Sequence, residues 1–496
     1  MNVIFARHIR FAFSIACFIC ANNLNAQWVN IPDNNFLNYL QSSSIGACVS
    51  STQLDTTCQA LLEDTLVDCD NLNIINLYGI QFFKKLRYLN CSANPLDSAL
   101  PVLPASLHTL YCVSTNLRSL STLPDSLSLL DCAHCQLSTL PPLPNGITYI
   151  NCMWNNLVTL PALPANLIYL ICSYNQIDSL PPLPGNLDSL DCSVNLLSKL
   201  PPFPPSLHFL ICDQNQLTTL PFGAGLNEIA CAYNMIVSLP IYDRLTFLTC
   251  GNNQITRLPT FPNSLKILLC DYNNIDSIID LPNSLQDMTC GYNQLKSLGN
   301  KLPDSLQYLG CYNNQLTSIP PLPKVFIDLY CPYNLLTSLP DLPDTLYNLN
   351  CSNNPYLQCL PKLTRINTLT FDSTAITCLP NYDSVTTSTP PLNSVPLCTT
   401  NNLHGCASYV SIPEIETLNF SMYPNPASDN TTLTLSNGQS ELAIEVMDIT
   451  GSEVVKMSAA NTNYELSVKG LPNGLYFVRV SDEQGGFGVR KLVVDK

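Results

Sequence analysis

From residue 91 to residue 351 the apolar positions of this chain repeat one short pattern. Leu107-x-x-Leu110-x-Cys112 returns as Leu167-x-x-Leu170-x-Cys172, Leu207-x-x-Leu210-x-Cys212, Leu265-x-x-Leu268-x-Cys270 and Leu346-x-x-Leu349-x-Cys351. The cysteines stand at 91, 112, 132, 152, 172, 192, 212, 231, 250, 270, 290, 311, 331 and 351, a period of 20 residues with slips of one. Leu110 and Cys112 are two residues apart, so on an extended chain both point to the same side. The pattern therefore predicts one short strand per unit, with its Leu and Cys turned into a core. Three residues behind the cysteines comes a polar column: Asn94, Asn155, Asn175, Asn195, Asn215, Asn234, Asn253, Asn273, Asn293, Asn314, Asn334 and Asn354, broken by Thr115 and Cys135. An amide both donates and accepts, which suits a turn at the strand end, and removing it from a buried turn should cost roughly 1–3 kcal/mol. We read this column as structural and not as a ligand site. Units this regular bury their apolar faces only by stacking on one another, which predicts a solenoid.

Between the strands lies Leu-Pro-x-Leu-Pro, as at Leu140 to Pro144, Leu160 to Pro164, Leu180 to Pro184 and Leu339 to Pro343. Proline lacks an N–H and restricts the residue before it, so the return limb should be extended or polyproline II rather than helical. The spacing L-x-x-L-x-C-x-x-N-x-L resembles the leucine-rich repeat family, with Cys where a third aliphatic residue is usual. The Leu-Pro signature is similar to the short bacterial repeats of certain secreted effectors. Some of those effectors carry a helical ubiquitin-ligase domain after the repeats, whereas the C-terminal segment here has strand patterning.

Both ends differ from the repeat. Arg7, His8 and Arg10 precede an apolar run from Phe11 to Ala21, too short to span a bilayer, and Leu24-Asn25-Ala26 before Gln27 reads as a secretory cleavage site. After residue 418 the alternating stretches Thr431 to Leu435, Ala443 to Ile449, Glu453 to Met457, Tyr464 to Val468, Leu475 to Val480 and Val489 to Val494 predict a small antiparallel β-sandwich. Tyr423-Pro424-Asn425-Pro426-Ala427, Asp448-x-x-Gly451, Leu471-Pro472-Asn473-Gly474-Leu475-Tyr476 and Lys491-Leu492-Val493-Val494 resemble the C-terminal sorting domain of type IX secretion. That resemblance implies contact with an outer-membrane secretion machinery and export to the cell surface or beyond. The expected organisation is a signal peptide at 1–26, an N-terminal cap at 27–65, a β-rich solenoid at 66–380, a Cys-containing linker or cap at 381–417 and a sorting domain at 418–496. The Ser/Thr/Pro-rich segment Thr386 to Thr400 should be an exposed linker.

A formal net charge of −15 argues against nucleic acid or an anionic membrane as partner. No later stretch is long and apolar enough to form a membrane-spanning helix. Of 24 cysteines, those in the strand column are expected to be buried free thiols rather than rung-to-rung disulfides or zinc ligands. Cys359 with Cys378, and Cys398 with Cys406, are expected as disulfides; Cys48, Cys58 and Cys69 near the N-terminal cap leave their connectivity open. His134-Cys135 sits in the Asn column and reads as structural. No phosphate loop, metal motif or cofactor motif is present, and no enzyme is expected.

Function is then expected on the concave strand face. Three residues before the cysteines stand Tyr88, Tyr149, Tyr169, Phe209, Phe247 and Tyr308; two residues after stand Trp154, Tyr174, Tyr233, Tyr272, Tyr292 and Tyr333. Aromatic surface suits a protein partner, or a glycan stacked on the rings. The later column repeats so evenly that it also fits a scaffold packed along the sheet edge. Two functions follow: recognition or adhesion through the concave face, or a structural spacer of about fifteen rungs spanning roughly 70 Å.

Overall fold

The computed structural model describes residues 27–97, 99–278, 280–381, 385–398, 420–435, 442–459, 463–482 and 487–496. The expected signal peptide, Cys406 and most of the expected 381–417 segment lie outside the described residues. Two compact units emerge: one holds the described residues up to Thr377 with those of Tyr382–Pro396, the other Cys378–Asn381 and those from Leu397 on.

The first unit is a ladder of seventeen parallel strands in chain order, from Leu66–Asp68 to Val385–Thr389. Equivalent leucines pair directly, Leu170 with Leu190 and Leu190 with Leu210. In each of the fifteen strands up to Asn348–Asn350 the middle residue is buried, and the outer two are mostly not, as in Thr109–Tyr111 and Phe209–Ile211. These strands stay at three residues because the chain turns two residues beyond the cysteine. There, from Asn71 to Ser373, a non-glycine residue takes a left-handed φ between 50° and 57° in every rung. A bulky side chain resists that conformation, so the surrounding bonds must hold it.

They do so through the Asn column. Asn195 Nδ2 donates to the carbonyls of Cys172 (3.0 Å), Cys192 (3.1 Å) and Ser193 (3.1 Å), while its Oδ1 accepts from the Ile177 N–H at 2.9 Å. One amide thus stitches its own turn to the rung before it. Among the described residues the return limbs carry no α-helix, only a short 3-10 turn at Ile80–Phe82, and Leu140, Leu160 and Leu339 on them are buried while Leu143, Leu163 and Leu183 are half-buried. The thiols from Cys69 to Cys351 are buried and free, as expected of core residues, and Phe371 takes the place of cysteine after the last of them. The column begins with Cys69, one rung before the sequence repeat is obvious.

A helix, Asn34–Ser42, follows the first strand, Trp28–Asn30, and its N-cap Asp33 accepts from Asn35 and Phe36 N–H through Oδ1 and from Ile75 and Asn76 N–H through Oδ2. The cap is stapled by Cys48–Cys58. In the second unit Cys378 bonds Cys398, so the expected Cys359–Cys378 and Cys398–Cys406 pairings are corrected. Leu379 bridges Leu397 in parallel, which sets Cys378 and Cys398 side by side, 4.9 Å apart at Cα. Cys359 is disulfide-bonded as well. The expected linker is corrected too: Val385–Thr389 pairs with Ile366–Thr370 as a rung of the ladder. Its alternating Val, Thr and Ser have the β-propensity for an end strand without any leucine signature.

The C-terminal part forms two antiparallel sheets. Phe420–Tyr423, Asn430–Leu435 and Asn463–Ser467 make one; Glu453–Ala459, Leu442–Met447, Gly474–Asp482 and Phe487–Val494 make the other. Ile444, Val446, Leu466, Val478 and Leu492 lie in the core between them. Gly451, at φ 81°, completes the turn in which Asp448 Oδ1 accepts from the N–H groups of Thr450 and Ser452.

Candidate binding face

Because the middle residue of each three-residue strand turns into the core, the first and third residues form the opposite, open face, with Asn151 and Gly310 its buried positions. The fifteen three-residue strands from Leu66–Asp68 to Asn348–Asn350 offer thirty such positions. Eight are aromatic: Tyr88, Tyr111, Tyr149, Tyr169, Phe209, Phe247, Tyr308 and Tyr330. Six are acidic: Asp68, Asp131, Asp191, Glu228, Asp287 and Asp328. None is Lys, Arg or His.

The rings come together in pairs across neighbouring rungs. Tyr88 and Tyr111 are 5.8 Å apart between centroids, Tyr149 and Tyr169 6.3 Å, and Tyr308 and Tyr330 5.6 Å. Tyr169, Phe209 and Ile211 are each at least 40% exposed, so apolar surface remains open in the middle of the ladder. Near the far end, Tyr312 lies over Gly291, where an added Cβ would meet its ring at 2.3 Å. Glycine at that position is what makes room for the ring.

Four of the six carboxylates of this face, Asp68, Asp131, Asp191 and Asp328, are held by neutral donors. Asp131 accepts from Asn151 Nδ2 and from the Ala133 N–H, both at 3.2 Å. Asp191 accepts from the hydroxyls of Ser173 (2.9 Å) and Ser193 (2.7 Å), and Asp328 from Asn348 Nδ2 at 2.6 Å. Burial raises the Asp131 and Asp287 carboxyls, and does the same to Asp213 on the turn near Asp191.

Of the residues singled out in the sequence, Tyr149, Tyr169, Phe209, Phe247 and Tyr308 stand on the open face. Trp154, Tyr174, Tyr233, Tyr272 and Tyr292 do not; they occupy the left-handed turn position beyond the cysteine. Trp154 stacks on Tyr174 and Tyr272 on Tyr292, each pair 4.1 Å apart and within 11° of parallel, so these rings cover one another's faces. Sequence reasoning missed the position just before each cysteine (Tyr111, Asp131, Asp191, Ile211, Tyr330). The period-two alternation around the buried leucine carries that signal.

The thiols offer no reactive site of the usual kind. Burial raises Cys152, Cys250 and Cys351 to about 12. Cys135 departs from this: a hydrogen bond from the Cys112 thiol favours its thiolate and brings it down to about 7. Its sulfur is buried against Thr115 Oγ1 at 3.0 Å, while the His134 ring stacks on Trp154 at 5.6 Å. Among the described residues no group of three His, Cys, Asp or Glu could hold a metal ion, and no helix is long and apolar enough to cross a membrane.

Residues 421–495 match a family described as the secretion system C-terminal sorting domain. No curated protein matches the chain. Among solved structures, the functional domain of InlJ from Listeria monocytogenes, which includes a cysteine ladder, is 19% identical, with 95% of this chain and 99% of that one covered at a TM-score of 0.50. The leucine-rich effector protein YopM from Yersinia pestis is 28% identical over 60% of this chain and 87% of that one, at a TM-score of 0.47. The first unit has the leucine-rich-repeat fold, and the sorting domain marks the chain for type IX secretion to the cell surface or outside.

Proposed function

We propose that this chain is an exported recognition protein that holds a partner, a protein or a glycan, on the open strand face of its solenoid. One observation carries the reading: aromatic and aliphatic side chains stand exposed, in register, on a face whose backbone is fixed by continuous parallel pairing. Tyr169, Phe209 and Ile211 form its centre. Exposed aromatic surface on a rigid scaffold is what binding interfaces use, since the rings bury much area and lose little conformational entropy. The proposed division of labour gives residues 27–65 a capping role, 66–380 recognition and 418–496 export.

The stacked turn residues favour a second reading, a structural spacer, because Trp154–Tyr174 and Tyr272–Tyr292 reinforce the ladder by covering one another's facing sides. A single comparison separates the two. The purified chain is screened against arrays of surface proteins and glycans beside Tyr169→Ser/Phe209→Ser and Trp154→Ser/Tyr174→Ser. Recognition predicts hits that the face variant loses and the turn variant keeps. The same hits on all three proteins, or none on any, would leave the spacer reading standing.

A further inference from the structure

We propose that the strand face takes a protein surface presenting lysine and arginine, the charged heads meeting the face carboxylates and the stems lying between the aromatic rings. This rests on the recognition reading above and names the chemistry of its partner.

The argument starts from charge segregation. Six of the thirty outward strand positions are acidic and none is basic, a bias that net acidity alone does not require, because this unit has bases elsewhere. Arg87 and Lys266 stand one residue before their strands, and Arg118, Lys199 and Arg257 lie beyond the turns. The ion pairs given for the described residues of this unit, Lys85–Glu63, His208–Asp188 and Lys301–Asp304, leave the face out. Asp131, Asp191 and Asp328 are instead fixed by serine, asparagine and backbone donors, which orient them without cancelling their charge.

A second line is independent of charge counting. Aromatic rings interleave with the carboxylates along the same columns, Tyr111 beside Asp131 and Phe209 beside Glu228. A guanidinium or ammonium group is the one protein group that profits from both neighbours, through a charged hydrogen bond and through the ring quadrupole. A neutral sugar would use the rings and shut the carboxylates away from water without a counter-charge, at a cost. An anionic partner would be repelled.

The test uses the full mature chain with deca-arginine and deca-lysine peptides as probes. A face variant carries Asp131→Asn, Asp191→Asn, Glu228→Gln and Asp287→Asn. A control carries Asp125→Asn, Asp178→Asn, Asp276→Asn and Asp341→Asn, four exposed acids off the face. Both lose the same net charge, and thermal unfolding checks that each is folded. The face variant should bind about tenfold more weakly and the control within about twofold of the parent, with the parent's affinity falling as NaCl rises. Equal losses in both variants would reduce the effect to net charge and overturn the proposal. Displacement of the peptide by Ca2+ but not by NaCl of equal ionic strength would assign the carboxylates to a metal and overturn it too. Should array hits depend on Tyr169 and Phe209 but not on the four carboxylates, the recognition reading survives and this one fails.

Discussion

Asn195 lets the Asn column be tested with one atom. Its amide makes four hydrogen bonds in a site only 7% exposed, which would suggest a large loss on truncation. The sharing of acceptors reduces it. The Cys172 carbonyl also accepts from Asn175, the Cys192 carbonyl from Asn215, and the Ser193 carbonyl from the Tyr174 N–H. What Asn195→Ala strands is the N–H of fully buried Ile177. One orphaned buried donor costs about 1–3 kcal/mol, with a small further loss for the cavity. Asn195→Asp keeps the shape and should nevertheless be worse, by about 2 kcal/mol near neutral pH. Its second oxygen would face three carbonyls at about 3 Å with no proton to give them. Burial and those carbonyls raise the carboxyl's folded pKa above its unfolded value of about 4, so the protonated form is favoured in the fold. The Asp variant should therefore recover relative to Ala as pH falls toward that unfolded value, and lose ground as pH rises. Urea unfolding from pH 4 to 8, with hydrogen exchange at the Ile177 amide, measures both effects. An Asp variant as stable as the parent at pH 7, or an Ala variant with unchanged Ile177 protection, would refute the reasoning.

Four further outcomes are expected. Leu170→Ala, at a residue 1% exposed, should cost about 2–5 kcal/mol, seen as earlier thermal unfolding. Val194→Gly should stabilise by about 1 kcal/mol in urea unfolding, since a β-branched residue sits there at φ 51° and glycine does not resist that angle. Column thiols should resist iodoacetamide until the chain unfolds, with Cys48–Cys58 and Cys378–Cys398 recovered as disulfides by mass spectrometry. Because burial pushes Cys152, Cys250 and Cys351 up to about 12 from an ordinary value of 9.0, stability should also fall as pH rises from about 9 toward 12. Deleting residues 418–496 should leave a folded solenoid that fails to reach the cell surface, as read by protease shaving of intact cells.

The ladder was legible because its signal is periodic. Leu170 and Asn195 reveal side and turn through spacing alone, and the C-terminal strands from Asn430 on follow their alternation to within about two residues, whereas Phe420–Tyr423 was not expected as a strand. What stayed hidden has particular physical causes. Cys359, Cys378 and Cys398 stand 19 and 20 residues apart, so each falls one rung from the next and spacing cannot choose the pair. Trp154 and Tyr174 gave no hint of a left-handed turn, a conformation ordinarily announced by Gly or Asn, so they read as continuing the strand face. Val385–Thr389 lacks the leucines by which the other rungs were recognised.

The break in the Asn column has a consequence for how the array comes apart. Thr115 donates to the Cys112 carbonyl, and Cys135 to the same carbonyl and to that of Ala133, and the two side chains meet each other at 3.0 Å, but neither accepts a backbone N–H of the rung before it as Asn Oδ1 does. The Leu96 N–H turns instead to the carbonyl of Asn94 within its own turn. Each asparagine elsewhere makes the order of one rung depend on its neighbour, which sets a correlation length for melting along the stack. At rungs 115 and 135 that coupling is weakest. A domain wall between ordered and disordered rungs forms there at least cost, so the capped N-terminal rungs and the long run from Asn155 to Asn354 should lose structure as two separate blocks.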